Sequence, residues 1–110
     1  MRYAAKVRQE IRNVFGVTSP EVHSRKRSRE LVYARDLLMV FNRRTLGAGV
    51  NEAGLAYRRD HSTVIHATKK ITDLLRFNKE YRESTKEVFK LIRKGVHNYE
   101  QRERTERTSV

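Results

Sequence analysis

Residues 51–71 read NEAGLAYRRDHSTVIHATKKI, and this stretch decides the fold. Small and apolar residues from Asn51 to Tyr57 predict a short helix, and Ala53, Gly54 and Ala56 allow a second helix to approach closely. Arg58-Arg59-Asp60 forms a tight turn, and a longer helix is predicted from about His61 to Arg76. On a helical wheel at about 100° per residue, Val64, Ala67, Ile71, Leu74 and Leu75 cluster on one side. Ser62, His66, Lys69 and Asp73 lie opposite. A short helix, a tight turn and a longer amphipathic helix make a helix-turn-helix. The first residues of such a second helix reach base edges, and later ones meet phosphates. Asp60, His61, Ser62 and Thr63 all carry groups that hydrogen-bond base edges, and the Thr63 methyl can pack on a thymine methyl. Asp60 has a second role open to it as the helix N-cap.

Outward from this stretch, apolar spacing stays helical, and no alternating β-branched run predicts a strand. The expected class is all-α with about six helices. Tyr3, Val7, Ile11, Val14 and Phe15 form the inner face of a first helix, which Gly16 ends. Thr18-Ser19-Pro20-Glu21 reads as a helix start. The run His23-Ser24-Arg25-Lys26-Arg27-Ser28-Arg29 concentrates cations that repel one another unless an anion faces them. A helix from about Ser28–Tyr33 to Leu46 should put Leu31, Ala34, Leu38, Phe41 and Thr45 inward, before Leu46-Gly47-Ala48-Gly49 breaks it. A last helix, 79–94, turns Tyr81, Val88, Phe89 and Ile92 inward and ends at Gly95. The division expected is a DNA-binding unit over 1–95 and a charged, frayed or disordered tail over 96–110. That tail has only the weak pairs Glu100 with Arg104 and Glu103 with Arg107.

The 110 residues fit one domain. Lys and Arg number 25 against 13 Asp and Glu, a formal net charge of +12, which points to a polyanion. Residues 1–75 carry +8, residues 76–94 carry +4, and residues 95–110 are neutral. Cysteine is absent, which excludes disulfides and thiolate zinc sites. No run approaches the ~18–20 apolar residues of a membrane span, and residues 1–15 have no secretory apolar core. A cytoplasmic, nucleoid-associated protein is expected. His61 and His66 are five apart, off the i,i+4 ligand spacing, so no metal is expected. Ser62 beside these histidines lacks an acid and oxyanion donors, so neither catalysis nor a cofactor is expected. The stripe Val7-Ile11-Val14-Phe15 suits a core better than a membrane surface. His23 and His97 read as ordinary surface residues.

The stretch Arg59-Asp60-His61-Ser62-Thr63-Val64-Ile65-His66-Ala67, followed by Lys69-Lys70-Ile71, resembles the signature of the C-terminal DNA-binding domain of the bacterial replication initiator DnaA. Ser24 to Arg29 is similar to that family's basic loop, and Arg35 falls at the spacing of its helix-starting arginine. The likeness covers about Lys6 to Ile92. It implies a six-helix domain with a Trp-repressor-like motif that binds a short asymmetric duplex box. Arg27 would then read the minor groove, where a narrow A·T-rich tract attracts arginine, and Asp60, His61, Ser62 and Thr63 would read the major groove. Arg29, Arg35, Arg59, His66 and Lys70 would meet phosphates or rim the interface. Arg25, Lys26, Arg58 and Lys69 are further candidate phosphate contacts beside the groove.

The chain departs from the family's pattern at three places. Tyr57-Arg58-Arg59 stands, one residue shorter, where the family has two glycines before Arg-Asp-His. Asp36 replaces a polar residue, and an acid there would repel a phosphate, so that contact is not carried over. Ser62 replaces the commoner Thr. There is no G-x-x-x-x-G-K-[ST] loop, so ATP binding and hydrolysis are not expected. The reading is a stand-alone DNA-binding module of DnaA type in replication control. A regulator that acts by touching the host initiator, or a Trp-repressor-like transcriptional regulator, remains the alternative. A single-strand reader is disfavoured, because five Tyr and four Phe sit mostly at core spacings.

Overall fold

In the computed structural model, the backbone is described for residues 2–108 and the side chains for residues 3–95. Six α-helices and one π-helical turn make up the fold, with no strand among the described residues. Helix α1 (Arg2–Phe15) buries Val7 and Ile11, with Tyr3, Val14 and Phe15 packed at the edge of the core. Gly16 leaves the helix at φ +65°, a left-handed turn that glycine adopts without Cβ strain. The short α2 (Ser19–Val22) starts with the expected cap: the Thr18 hydroxyl accepts from Glu21 N–H, and the Glu21 carboxylate accepts from Thr18 N–H at 3.0 Å. That donation holds the Glu21 carboxyl below its usual range.

Helix α3 (Arg29–Val40) begins at Ser28, whose hydroxyl accepts from Leu31 N–H. Its sequence predicts one inward face, but Leu31 and every residue from Ala34 to Met39 are buried. The helix lies at the centre, with α1, α2 and α5 packed around it. Arg35 and Asp36 sit inside that run, which hides the encirclement from a reading by hydropathy. The chain then widens into a π turn, Phe41–Thr45, closed by Leu46 N–H to Phe41 C=O at 3.2 Å. The turn buries Asn42, whose amide oxygen accepts from Arg8 Nε and Nη2, and leaves Thr45 half-buried.

Helix α4 (Val50–Leu55) and helix α5 (His61–Phe77) form the helix-turn-helix. Ala53 and Gly54 are buried, whereas Ala56 faces solvent. A Cβ on Gly54 would strike the Arg59 carbonyl and lie 3.1 Å from Val64 Cγ2, so a larger residue would push the turn off α4. Val64, Ala67 and Ile71 are buried, as the wheel predicts. Asn78 caps α6 (Lys79–Thr108) by accepting from Tyr81 N–H at 2.9 Å. Tyr81, Thr85 and Val88 are buried, and Phe89 and Ile92 pack at the edge. Gly95 does not end this helix, which continues through it. Glycine is needed there because a Cβ would fall inside the Tyr3 ring, whose hydroxyl donates to Ile92 C=O at 2.9 Å. The expected tail pairs, Glu100 with Arg104 and Glu103 with Arg107, lie outside the described side chains, as does His97.

Candidate nucleic-acid interface

Between α2 and α3 the basic run forms a loop that passes beside the turn into α5. Arg25 and Arg27 from the loop, Arg58 and Arg59 from the turn, and Asp60 and Thr63 from α5 line one open concave surface. Among the described residues, Arg25, Lys26, Arg27, Arg58, Arg59 and Lys69 form no ion pair. Four guanidinium groups on one concavity focus a positive potential there.

The first turn of α5 has a defined polarity. One Asp60 carboxylate oxygen accepts from Thr63 N–H at 3.0 Å, Thr63 Oγ1 at 3.0 Å and Ser62 Oγ at 2.8 Å. These bonds pull the Asp60 carboxyl down to about 2, so it is ionised at neutral pH and can only accept. Asp60 is therefore the N-cap, and both hydroxyls spend their protons on it. Their oxygens keep lone pairs with which to accept. His61, Ser62, His66 and Lys69 are exposed, and Thr63 is half-buried. Ile65, to which the sequence pattern gives no role, is 56% exposed on the same helix. Its place about 100° off the Val64 stripe was the available signal.

Arg58 adopts φ +57°, the left-handed region that favours glycine. An L side chain there costs about 1–2 kcal/mol. Arg58→Gly is expected to raise the unfolding free energy by about 0.5–1 kcal/mol after glycine's greater chain entropy is subtracted. A denaturant titration checks this.

Several expected phosphate contacts sit elsewhere. Arg35 is only 2% exposed. Its Nε donates to Val22 C=O at 2.9 Å, and its Nη2 donates to Glu21 C=O at 3.0 Å and Ser24 C=O at 2.9 Å. Burial and the nearby Arg59 and Arg27 charges lower its affinity for a proton. It is a buried tie for the loop and presents no surface to a phosphate. Lys70 places Nζ 2.8 Å from Asp36 Oδ2, a close charge pair between α5 and α3. An outward contact by Lys70 would give up that pair. Arg29 lies over the Tyr33 ring at 5.9 Å and beside Glu30, away from the concave surface. Arg59 lines the concavity, and its Nη1 also donates to the Tyr57 and Arg58 carbonyls.

His23 is no idle surface residue. Its Nδ1 lies 2.9 Å from Ala56 C=O, and its ring stacks on Tyr57 at 5.0 Å and 14°. A histidine before a basic run gives no sequence signal for a partner 33 residues away.

Comparison with known proteins identifies the family. The family described as bacterial dnaA protein helix-turn-helix matches residues 4–71, more than half of the chain. Three similar relatives are each named chromosomal replication initiator protein DnaA. The Wolbachia protein (strain TRS) is 28% identical over 90 residues, covering 81% of this chain and 20% of the relative. That of Desulfotalea psychrophila is 37% identical over 70 residues, covering 64% and 15%. That of Caldanaerobacter subterraneus subsp. tengcongensis is 25% identical over 87 residues, covering 79% and 20%. The chain spans a fifth or less of the length of these relatives. With the matched region running from α1 through the buried stripe of α5, the chain belongs to the bacterial DnaA helix-turn-helix family.

Proposed function

We propose that residues 1–95 bind duplex DNA at a preferred, DnaA-box-like site in replication control, with α5 in the major groove and the basic loop over the adjacent minor groove. The concave array of Arg25, Arg27, Arg58 and Arg59 beside the exposed start of α5 carries this reading. Arg27 is the minor-groove reader, and His61, Ser62 and Thr63 face bases, with Asp60 holding the two hydroxyls. Because Asp60 is ionised and takes both hydroxyl protons, Ser62 and Thr63 offer acceptors. Acceptors favour bases that present amino groups in the major groove, adenine N6 and cytosine N4. Ile65 adds an apolar surface suited to a thymine methyl. Arg25, Lys26, Arg58, Arg59 and Lys69 meet phosphates, with His66 at the rim.

Selection of bound duplexes from a random library tests the reading, followed by direct titration of the selected site. Ser62→Ala or His61→Ala is expected to cost about 1–3 kcal/mol on the selected site and less on a scrambled one. Equal affinity of the wild-type protein for selected and scrambled duplexes would sink the proposal. Retention of the host initiator on the protein, at salt that abolishes DNA binding, would favour a regulator acting by protein contact.

A further inference from the structure

Residues 22–24, at the root of the basic loop, are tied on two sides. From α3, the buried Arg35 forks onto the carbonyls of Glu21, Val22 and Ser24 at 2.9–3.0 Å. Helix-end carbonyls lack intrahelical partners, and a planar guanidinium can serve several at once. From the other side, His23 bonds the Ala56 carbonyl and stacks on Tyr57, itself 4% exposed. Ala56 and Tyr57 directly precede the Arg58-Arg59 turn into α5. Within the loop, Ser24 Oγ donates to Glu21 C=O at 2.6 Å and accepts from Lys26 N–H at 3.2 Å. At its far end, Ser28 is fixed as the cap of α3. Arg25–Arg27 is therefore a short span between two anchored points, and one anchor is shared with the helix-turn-helix.

We infer that Arg35 and His23 are positioning residues that fix the register between the basic loop and α5, so that the two elements read neighbouring grooves as one unit. Without the ties, each element would still carry its charges and reading groups, but their spacing along the duplex would no longer be set. A mobile loop can follow a displaced groove, at the entropic cost of ordering it on binding.

This inference rests on the duplex-binding reading, and its test separates the two. In the free protein, His23→Ala is expected to speed amide hydrogen exchange at Ser24–Arg27 and at Arg58–Asp60 together, by more than any accompanying shift of the unfolding midpoint accounts for. Unchanged exchange in either segment overturns the inference whatever the DNA result. On DNA, the wild-type protein should reject a selected duplex lengthened by one base pair between the loop-read and helix-read parts. In His23→Ala, the ratio of affinities for the selected and lengthened duplexes should fall about fivefold or more, while preference at helix-read positions persists. His23→Asn, which keeps a donor near the Nδ1 position, should recover part of the ratio. Arg35→Lys, which replaces a fork by a point charge, should lower it. A full ratio in His23→Ala, or equal loss of preference at loop-read and helix-read positions, overturns the inference. A wild-type protein with no duplex preference overturns the duplex-binding reading instead, and the exchange experiment still decides the mechanical coupling.

Discussion

Raising salt from about 50 to about 200 mM is expected to weaken duplex binding about a thousandfold. Each phosphate neutralised by Lys or Arg releases condensed counterions, so log K falls with log salt at about −0.9 per contact on duplex DNA. The cations available are fewer than composition suggests. The chain holds 25 Lys and Arg, but Arg35 is buried in a carbonyl cage, Lys70 is paired with Asp36, and Arg29 is turned onto Tyr33. The remaining set at the concave surface and the outer side of α5 is Arg25, Lys26, Arg27, Arg58, Arg59 and Lys69. Five of these meet phosphates, and Arg27 in the narrow minor groove displaces counterions as well, so about six cations give a slope near −5, which over a fourfold change in salt is about three decades. Fluorescence anisotropy of the selected duplex across that range measures it. Removing Arg25 or Lys69 should flatten the slope by about one, whereas Lys90→Ala and Lys94→Ala on α6 should leave it unchanged. A slope near −2, or one flattened equally by the α6 changes, would place the binding face elsewhere.

The sequence and the structure agree where a signal is local. Thr18 and Asp60 cap helices because a hydroxyl or carboxylate three residues upstream of a free N–H is a short-range arrangement, visible in the chain. The α5 stripe is equally local, since period 3.6 alone selects Val64, Ala67 and Ile71. What could not be read depends on contacts between distant residues. Arg35 looks like any surface cation until the carbonyls of residues 21, 22 and 24 are seen to surround it. Gly95 has the look of a helix stop, but its role is set by the Tyr3 ring at the other end of the chain. At Gly95 a local rule competes with a tertiary contact and loses; at Arg35 the role implied by the resemblance gives way to burial. The same holds for His23, whose partners lie on the turn it steadies. The candidate interface was legible in its residue types and not in its division of labour. Of the cations expected at phosphates, those beside the helix-turn-helix turn face outward, while others hold the surface in shape.

The Lys70–Asp36 pair shows how far this division reaches. Asp36 is 6% exposed at its side chain and Lys70 is 50% exposed. Burial raises the Asp36 carboxyl above its usual value near 3.8, and Lys70 opposes the rise through direct contact and charge. Removing one partner of a buried pair typically costs about 3–5 kcal/mol, because the other charge is left without compensation. Lys70 keeps half its side chain in water, so Lys70→Met is expected to cost less, about 2–4 kcal/mol at neutral pH. The sign of its pH dependence follows from the direction of the Asp36 shift. A carboxyl raised in the folded state binds its proton more tightly there than in the unfolded chain. It therefore favours folding most below the unfolded value, and that contribution is lost as pH rises through the folded value. Lys70→Met raises the folded value further. The stability gap between variant and wild type should thus be widest near pH 7 and close as pH falls toward 3.8. Asp36→Asn in the Lys70→Met background should recover most of the loss and abolish this pH dependence. Urea titrations of the four proteins of the cycle, at several pH values, measure the coupling. If Lys70 served chiefly as a phosphate contact, Lys70→Met would leave stability within about 0.5 kcal/mol and reduce only DNA affinity, uniformly across sequences. A large, pH-dependent loss that Asp36→Asn reverses would instead make Lys70 the tie between α3 and α5, holding the reading helix against the centre of the fold.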